Sequence, residues 1–363
     1  MLLTTALAWA AMASTGTAAE LKVVGLPPRL WSGKPVRMTV ALSGVPETER
    51  VEGGWLVSIV GHSVSAGGGR FVAEGPRPQE IQFEVPSVAA RIQAKLHFRA
   101  VQGKQTVAQE DRLVEFFPGS PAEVLTAANG GRSVGLVETG EFEPPVSRLV
   151  PVPIERLESV AQVRRFGGRL ILVRTVRTFH PRSGLTHALL ARANTGDTIV
   201  CLGGHPSPLP GDGGSAWLES VRLRRVRPLA PEHAIFANLQ TGDLANWGLD
   251  GDVAHAMLAV PRSGNYRLLA DVPGEEPAPV LVELWHGRDG RGRILLCGMK
   301  LVEKLDMDPV AATLMANVLR WGQREKRACT VQAAWIGTDG ESEALEALRA
   351  LGVRFVAGTP AVN

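Results

Sequence analysis

From Leu21 to Phe117 apolar and polar residues alternate. In PVRMTVALSG the side chains of Val36, Met38, Val40 and Leu42 fall on one face. EIQFEVP does the same with Ile81, Phe83 and Val85, and RIQAKLHFRA with Ile92, Ala94, Leu96 and Phe98. A period of two is that of a half-buried β-strand. Turn-rich stretches such as SAGGGR and EGPRPQ separate these runs, with no helical pattern among them. This predicts an all-β immunoglobulin-like sandwich over residues 20–118. FFPGSPAE, Phe116 to Glu123, breaks the rhythm with two prolines and reads as a linker.

Beyond it the period changes. SVGLVET (Ser133 to Thr139) and RLILVRTV (Arg169 to Val176) are nearly continuous apolar runs, which fit strands covered on both faces. SGLTHALLARANTG offers Ser183 as N-cap, an apolar face of Leu185, Ala188, Leu189 and Ala193, and Gly196 as stop. The strand TIVCLGG follows at once, so strand, helix and strand form a parallel crossover. VLVELWHGRDGRGRILLCGM predicts an antiparallel pair of strands around RDGRG. DMDPVAATLMANVLRWG predicts a helix capped by Asp308, with Pro309 at its first position and Val310, Leu314, Val318 and Trp321 on one face. Residues 119–327 are thus expected to form a three-layer α/β domain, flavodoxin-like or like a class I glutamine amidotransferase. Residues 328–363 start afresh with strand, helix and strand. One such unit cannot bury its own faces: either it joins the preceding sheet or it is the front of a longer protein, and the second is expected here.

Composition narrows the class. The 363 residues suit two or three domains, and 45% hydrophobic with 21% charged residues is ordinary for globular chains. A formal charge of +3 leaves no basic stripe longer than VRLRRVR, so nucleic acid is not expected as a partner. That stretch interleaves arginine with valine and leucine, as an edge strand does. Residues 1–19 carry no charged side chain and end in small residues before Glu20, the pattern of a signal peptide, which points to a secreted or periplasmic protein. No later segment approaches about 18 uninterrupted apolar residues, so no membrane span is expected in the mature chain. Three cysteines, Cys201, Cys297 and Cys329, cannot all pair within one chain, and none shows CxxC spacing.

Three stretches could carry chemistry. Cys201 ends an apolar strand before two glycines, where a turn can present a thiol nucleophile, and His205 stands four residues on. In class I glutamine amidotransferases the elbow is G-x-C-x-G with a His-x-Glu pair downstream. Here Ile199 replaces the first glycine, no His-x-Glu follows, and the prolines of HPSPLPGDGG prevent a helix from starting at the turn. A core cysteine is therefore the expectation, and a catalytic Cys201 with His205 the alternative. Second, QTGDLANWGLDGD sets Trp247 among Asp243, Asp250 and Asp252, a group able to stack on a sugar ring and bind its hydroxyls. The competing reading packs Trp247 against its own domain. Third, Glu138, with Glu141 and Glu143, lies just past the carboxyl end of the first parallel strand, where open α/β sheets bind ligands. The eight histidines show neither HxH nor HxxxH spacing, and no Walker, GxGxxG or GxSxG motif occurs, so neither a metal nor a cofactor is expected.

Gly292 and Arg293, the strand Ile294 to Cys297, the Asp308-Pro309 helix start and Asn317 to Leu319 together resemble accessory modules of secreted glycoside hydrolase family 2 type proteins, the β-galactosidase-like ones. In those an immunoglobulin-like domain precedes a glutamine-amidotransferase-like domain. The resemblance implies an α/β domain that has lost amidotransferase chemistry and serves assembly or ligand contact. Its expected partners are a carbohydrate, a second copy of the chain or a glycoside hydrolase. The catalytic barrel of such hydrolases needs ~250 residues and has no counterpart here, so glycoside cleavage by this chain alone is not expected.

Overall fold

A computed structural model describes residues 19–46, 50–62, 65–74, 77–140, 145–175, 184–202, 216–259, 266–274, 278–286, 291–324, 333–335 and 355–357. The chain divides into two units, Met1–Pro118 and Gly119–Asn363.

The first unit contains β1 (Glu20–Val24), β2 (Arg29–Trp31), β3 (Pro35–Ser43), β4 (Arg50–Ile59), β5 (Ser65–Glu74), β6 (Gln79–Glu84), β7 (Ile92–Gln102) and β8 (Gln105–Phe117). They form a three-stranded sheet, β1-β3-β6, and a five-stranded sheet, β2-β8-β7-β4-β5. All pairs are antiparallel except β2 with β8. The alternating faces read above meet in one core: Met38, Val40 and Leu42 from β3, Ile81 and Phe83 from β6, and Ala94, Leu96 and Phe98 from β7. Trp55 and Phe83 reach across from the two sheets with ring centroids 5.2 Å apart. Gly53 is fixed by this packing, because a Cβ there would stand 2.1 Å from the Phe71 ring.

The second unit opens with α1 (Pro121–Asn129), β9 (Val134–Thr139), α2 (Val146–Leu149), β10 (Ile154–Arg156), α3 (Val160–Arg165), β11 (Leu170–Thr175), α4 (Gly184–Asn194) and β12 (Thr198–Leu202). It continues with β13 (Ala216–Leu223), β14 (Arg227–Pro228), β15 (Ala254–Ala259), β16 (Tyr266–Val272), β17 (Ala278–His286), β18 (Gly292–Cys297), α5 (Leu301–Lys304), α6 (Pro309–Gly322), β19 (Ala333–Trp335) and β20 (Phe355–Ala357). Eight strands build the main sheet in the order β10-β9-β11-β12-β18-β17-β16-β14. The first five run parallel, and β17, β16 and β14 add antiparallel. β13 pairs with β15, and β19 with β20, each as a separate two-stranded ladder.

Side-chain alternation divides the sheet's two faces. Ile171, Val173, Ile199, Ile294 and Leu296 pack with Val163 of α3 and with Ala188, Leu189 and Ala193 of α4. The residues between them point the other way, and Leu170 approaches Gly322 of α6 so closely that a Cβ there would meet it at 2.7 Å.

Two expectations change. The boundary between the units does fall inside Phe116 to Glu123, but the stretch also holds the end of β8 and the start of α1: Ser120 caps the helix by accepting from the Glu123 amide, and Pro121 sits in the first turn. A proline there loses no helical hydrogen bond, so the residue that signalled a break begins an element. The Asp308-capped helix is buried on nearly every side, including Ala311, Ala312, Met315, Ala316 and Leu319, and not on a single face. Its small and apolar residues all round allow that.

Candidate functional site

The carboxyl ends of the parallel strands gather Glu138, Arg174 and Cys201. Glu138 and Arg174 are direct neighbours in the β9–β11 register, so they share a face. Arg174 is 4% exposed. It lies 3.7 Å from the Glu138 carboxylate and donates to Glu303 of α5 at 2.7 Å. Glu138 also accepts from the Val146 amide at 3.1 Å, which fixes the start of α2. This predicted ligand residue thus holds one buried guanidinium and one helix end. Glu141, Glu143 and His205 lie outside the described residues.

Cys201 stands on the opposite face, packed against the α3–α4 cluster. Part of the residue reaches solvent, yet burial around the sulfur pushes its thiol up to about 12. At pH 7 that leaves on the order of one thiol in 10⁵ ionised, far too few for a nucleophile that reacts as thiolate. Cys201 is free rather than disulfide-bonded.

Cys297 on β18 is fully enclosed, and burial pushes its thiol too from 9.0 up to about 12. A folded value above the unfolded one means a contribution to stability that is complete below about pH 9 and shrinks as the pH rises toward 12. Between about pH 9 and pH 11 the unfolding free energy from urea denaturation should therefore fall more steeply for the wild type than for Cys297→Ala, by up to ~1.4 kcal/mol per pH unit. Parallel slopes would place the alkaline sensitivity elsewhere.

The stretch Gln240 to Asp252 does not present a sugar platform. Trp247 is completely buried, and its indole N–H donates to the Asp243 carbonyl at 2.9 Å. Asp243 is 2% exposed and accepts from the Gln240 amide at 2.8 Å, closing a capping box on the short turn Thr241–Leu244. Asp252 is ion-paired to Lys300 at 2.8 Å, and Asp250 to Lys304. Burial opposes charge on Asp250, but the hydrogen bonds from Lys304 and the Asp252 amide hold it below the ordinary carboxylate range. The Gly248 amide donates to Asp308, the cap of α6. Asp250 and Asp252 therefore tie this segment to the lysines at the start and end of α5, and the Gly248 amide ties it to the cap of α6. Trp247 keeps no face open for a ring to stack on.

Other groupings were not visible in the sequence. On β4, β7 and β8, Ser58 Oγ lies 2.9 Å from His97 Nε2, and His97 Nδ1 lies 2.8 Å from Asp111. This row resembles a nucleophile–base–acid relay, but β4 is flanked by β5 and β7. Its amides are committed to ladders and cannot pair up around an oxyanion. Hydrogen bonds from Lys95 and His97 hold Asp111 below its usual range. In the second unit His233, Glu283 and Arg293 form a buried chain, with Glu283 lying 3.4 Å from His233 and 2.9 Å from Arg293. Among the described residues no three His, Cys, Asp or Glu side chains gather as metal ligands. No helix among them is long and apolar enough to cross a membrane.

A concavity opens at the other end of the sheet. It measures about 890 Å³ and is lined by Arg132 and Ser133 before β9, Gly167 to Arg169 before β11, and the end of α6. That lies within the range of about 300–1,000 Å³ common for small-molecule sites.

No protein-family model and no curated protein matches this chain. Its structural neighbours are weak and include glycosidase chains. Sporulation control protein Spo0M from Bacillus subtilis is 12% identical over 31% of this chain and 54% of its own, with a TM-score of 0.23. A beta-glucosidase from Listeria innocua is 14% identical over 27% of this chain and 16% of its own, at 0.21. A chain assigned as a beta-galactosidase from Bacteroides fragilis is 11% identical over 53% of this chain and 40% of its own, also at 0.21. This chain spans about half of the first and less of the other two. At such scores the likeness decides neither fold nor function.

Proposed function

We propose that this protein is a non-catalytic carbohydrate-recognition or assembly component of a secreted polysaccharide-processing system. In this reading an immunoglobulin-like sandwich carries a flavodoxin-like, glutamine-amidotransferase-like unit that has given up thiol chemistry. Support for the first part comes from two sheets closing on one core. Support for the second comes from the order β10-β9-β11-β12 in a parallel sheet with helices on both faces. The uncharged first nineteen residues favour export.

The observation that carries the reading is the state of Cys201, whose thiol burial raises to about 12 while Glu138, an acid at the same end of the sheet, is spent on Arg174 and α2. Thiolate chemistry needs the opposite arrangement. The test joins two measurements on the full chain: iodoacetamide labelling at neutral pH, and a glycan array. Cys201 should stay unmodified until denaturant unfolds the protein, and the folded protein should retain saccharides. Fast labelling of folded Cys201 would restore the enzyme reading, and an array without any bound saccharide would end the carbohydrate reading.

A further inference from the structure

We propose that a groove on the outer face of the five-stranded sheet of the first unit binds uncharged saccharides, with Arg99, Gln109 and Asp111 meeting pairs of sugar hydroxyls. The inference rests on the carbohydrate reading above and adds the place and the recognising groups.

Side-chain alternation decides what the groove contains. Val57, Leu96 and Phe98 fill the core, so Leu56, His97 and Arg99 beside them point away from it. Register carries this face across the sheet. Gly54 pairs with Arg99 and Arg99 with Gln109; Leu56 pairs with His97 and His97 with Asp111. These six residues, two adjacent rows of the sheet, line a cavity of about 520 Å³. Gly54 deepens it, because the row through Arg99 has no side chain at that point.

The polar groups of the groove differ in what they have left to give. Arg99 and Gln109 are exposed, and neither side chain has a hydrogen-bond or ion-pair partner among the described residues. Asp111 has a side chain 48% exposed, which accepts from Lys95 at 2.7 Å through one oxygen and from His97 at 2.8 Å through the other. An ionised carboxylate has roughly four acceptor sites, so about two remain for a ligand. His97 is held in turn at 2.9 Å from Ser58, so both of its ring nitrogens are engaged and the carboxylate is fixed in place. The amides of β4 and β7 are spent on ladders, which leaves recognition to these side chains.

A sugar hydroxyl both donates and accepts. A guanidinium offers donors alone, a carboxylate acceptors alone, and an amide both. Arg99 and Asp111 are diagonal neighbours on adjacent strands, about 7–8 Å apart at the backbone, and no ion pair joins them. One hydroxyl can therefore donate to Asp111 while its neighbour on the ring accepts from Arg99. A charged ligand fits less well: an anion would have to share Arg99 with the Asp111 carboxylate, and a cation would meet Arg99 itself. Glu52 and Arg70, the charged residues next to Gly54 on this face, are of opposite sign. Leu56, 45% exposed, gives the C–H face of a ring an apolar surface to cover.

Calorimetry on the full chain would titrate cellohexaose, laminarihexaose, xylohexaose and mannohexaose, with an oligogalacturonate as the charged control. At least one of the four uncharged sugars should bind, with an affinity that salt changes by less than about twofold. Arg99→Ala should weaken that binding about tenfold or more, the loss of a charge-assisted hydrogen bond. Gly54→Trp should abolish it. A Cβ there would meet only the Gly69 carbonyl oxygen, at 3.4 Å, so an indole can rise into the groove with the ladders intact. Both variants should melt as the wild type does, and each tests the groove by itself if the other folds poorly. Saccharide binding that a folded Arg99→Ala or Gly54→Trp leaves unchanged would overturn the placement and leave the carbohydrate reading standing. Binding of the oligogalacturonate alone, weakening steeply with salt, would overturn the hydroxyl recognition and also leave that reading standing. No binding of any of the five sugars, together with an empty glycan array, would end both.

Discussion

Trp247→Ala is expected to lower the stability of the second unit by about 3–5 kcal/mol, the usual cost of deleting a fully buried large aromatic side chain. Nothing of the indole reaches solvent, so its whole surface is lost from the interior. The Asp243 carbonyl then loses its donor as well. The damage should spread, because Trp247 is followed by the Gly248 amide that holds the Asp308 cap of α6. Thermal melts with urea denaturation would read the loss. A change below about 1 kcal/mol would mean that the indole is not part of the core, and would reopen the sugar-stacking reading of this segment.

Arg174→Met should cost about 3–5 kcal/mol for a different reason. Removing one partner of a buried ion pair leaves the other charged in a poorly solvated place. Glu138, with a side chain 10% exposed, is that partner. Converting it to glutamine in the same chain should recover much of the loss, because the amide oxygen still accepts from Val146 and the charge left without Arg174, on Glu303, belongs to a side chain that is 36% exposed. Denaturation of Arg174→Met, Glu138→Gln and the double variant forms a mutant cycle whose coupling should exceed about 1 kcal/mol. Additive effects would show that the two side chains do not depend on each other. The same cycle bears on function: if these residues serve only to hold the carboxyl edge together, the double variant keeps the saccharide binding of the wild type.

Much of the framework could be read from local pattern. The alternating positions of β3, β6 and β7 are the ones that fill the core of the first unit. Asp308 caps α6 by accepting from the Val310 amide, as the Asp-Pro pair predicts. The strands on either side of RDGRG, β17 and β18, do pair antiparallel. β10, α2 and α3 escaped because each is only three to six residues long, too short for a period to show.

The candidate sites were much less legible. A tryptophan among aspartates reads the same whether it faces water or the core, and only the folded chain decides that it is buried. Glu138 looks like any loop acid until Arg174, on the next strand, and the Val146 amide close on it, with Arg174 held in turn by Glu303, 129 residues further on. Arg132 and Gln323 meet across 191 positions, and with them the cavity wall. The sequence by itself thus determined the elements, because hydrogen bonding and burial within a strand or helix depend on residues a few positions apart. Only the tertiary structure decided which polar groups would be neutralised and which left open, since a charge or a thiol takes its state from neighbours that the chain brings together over long distances.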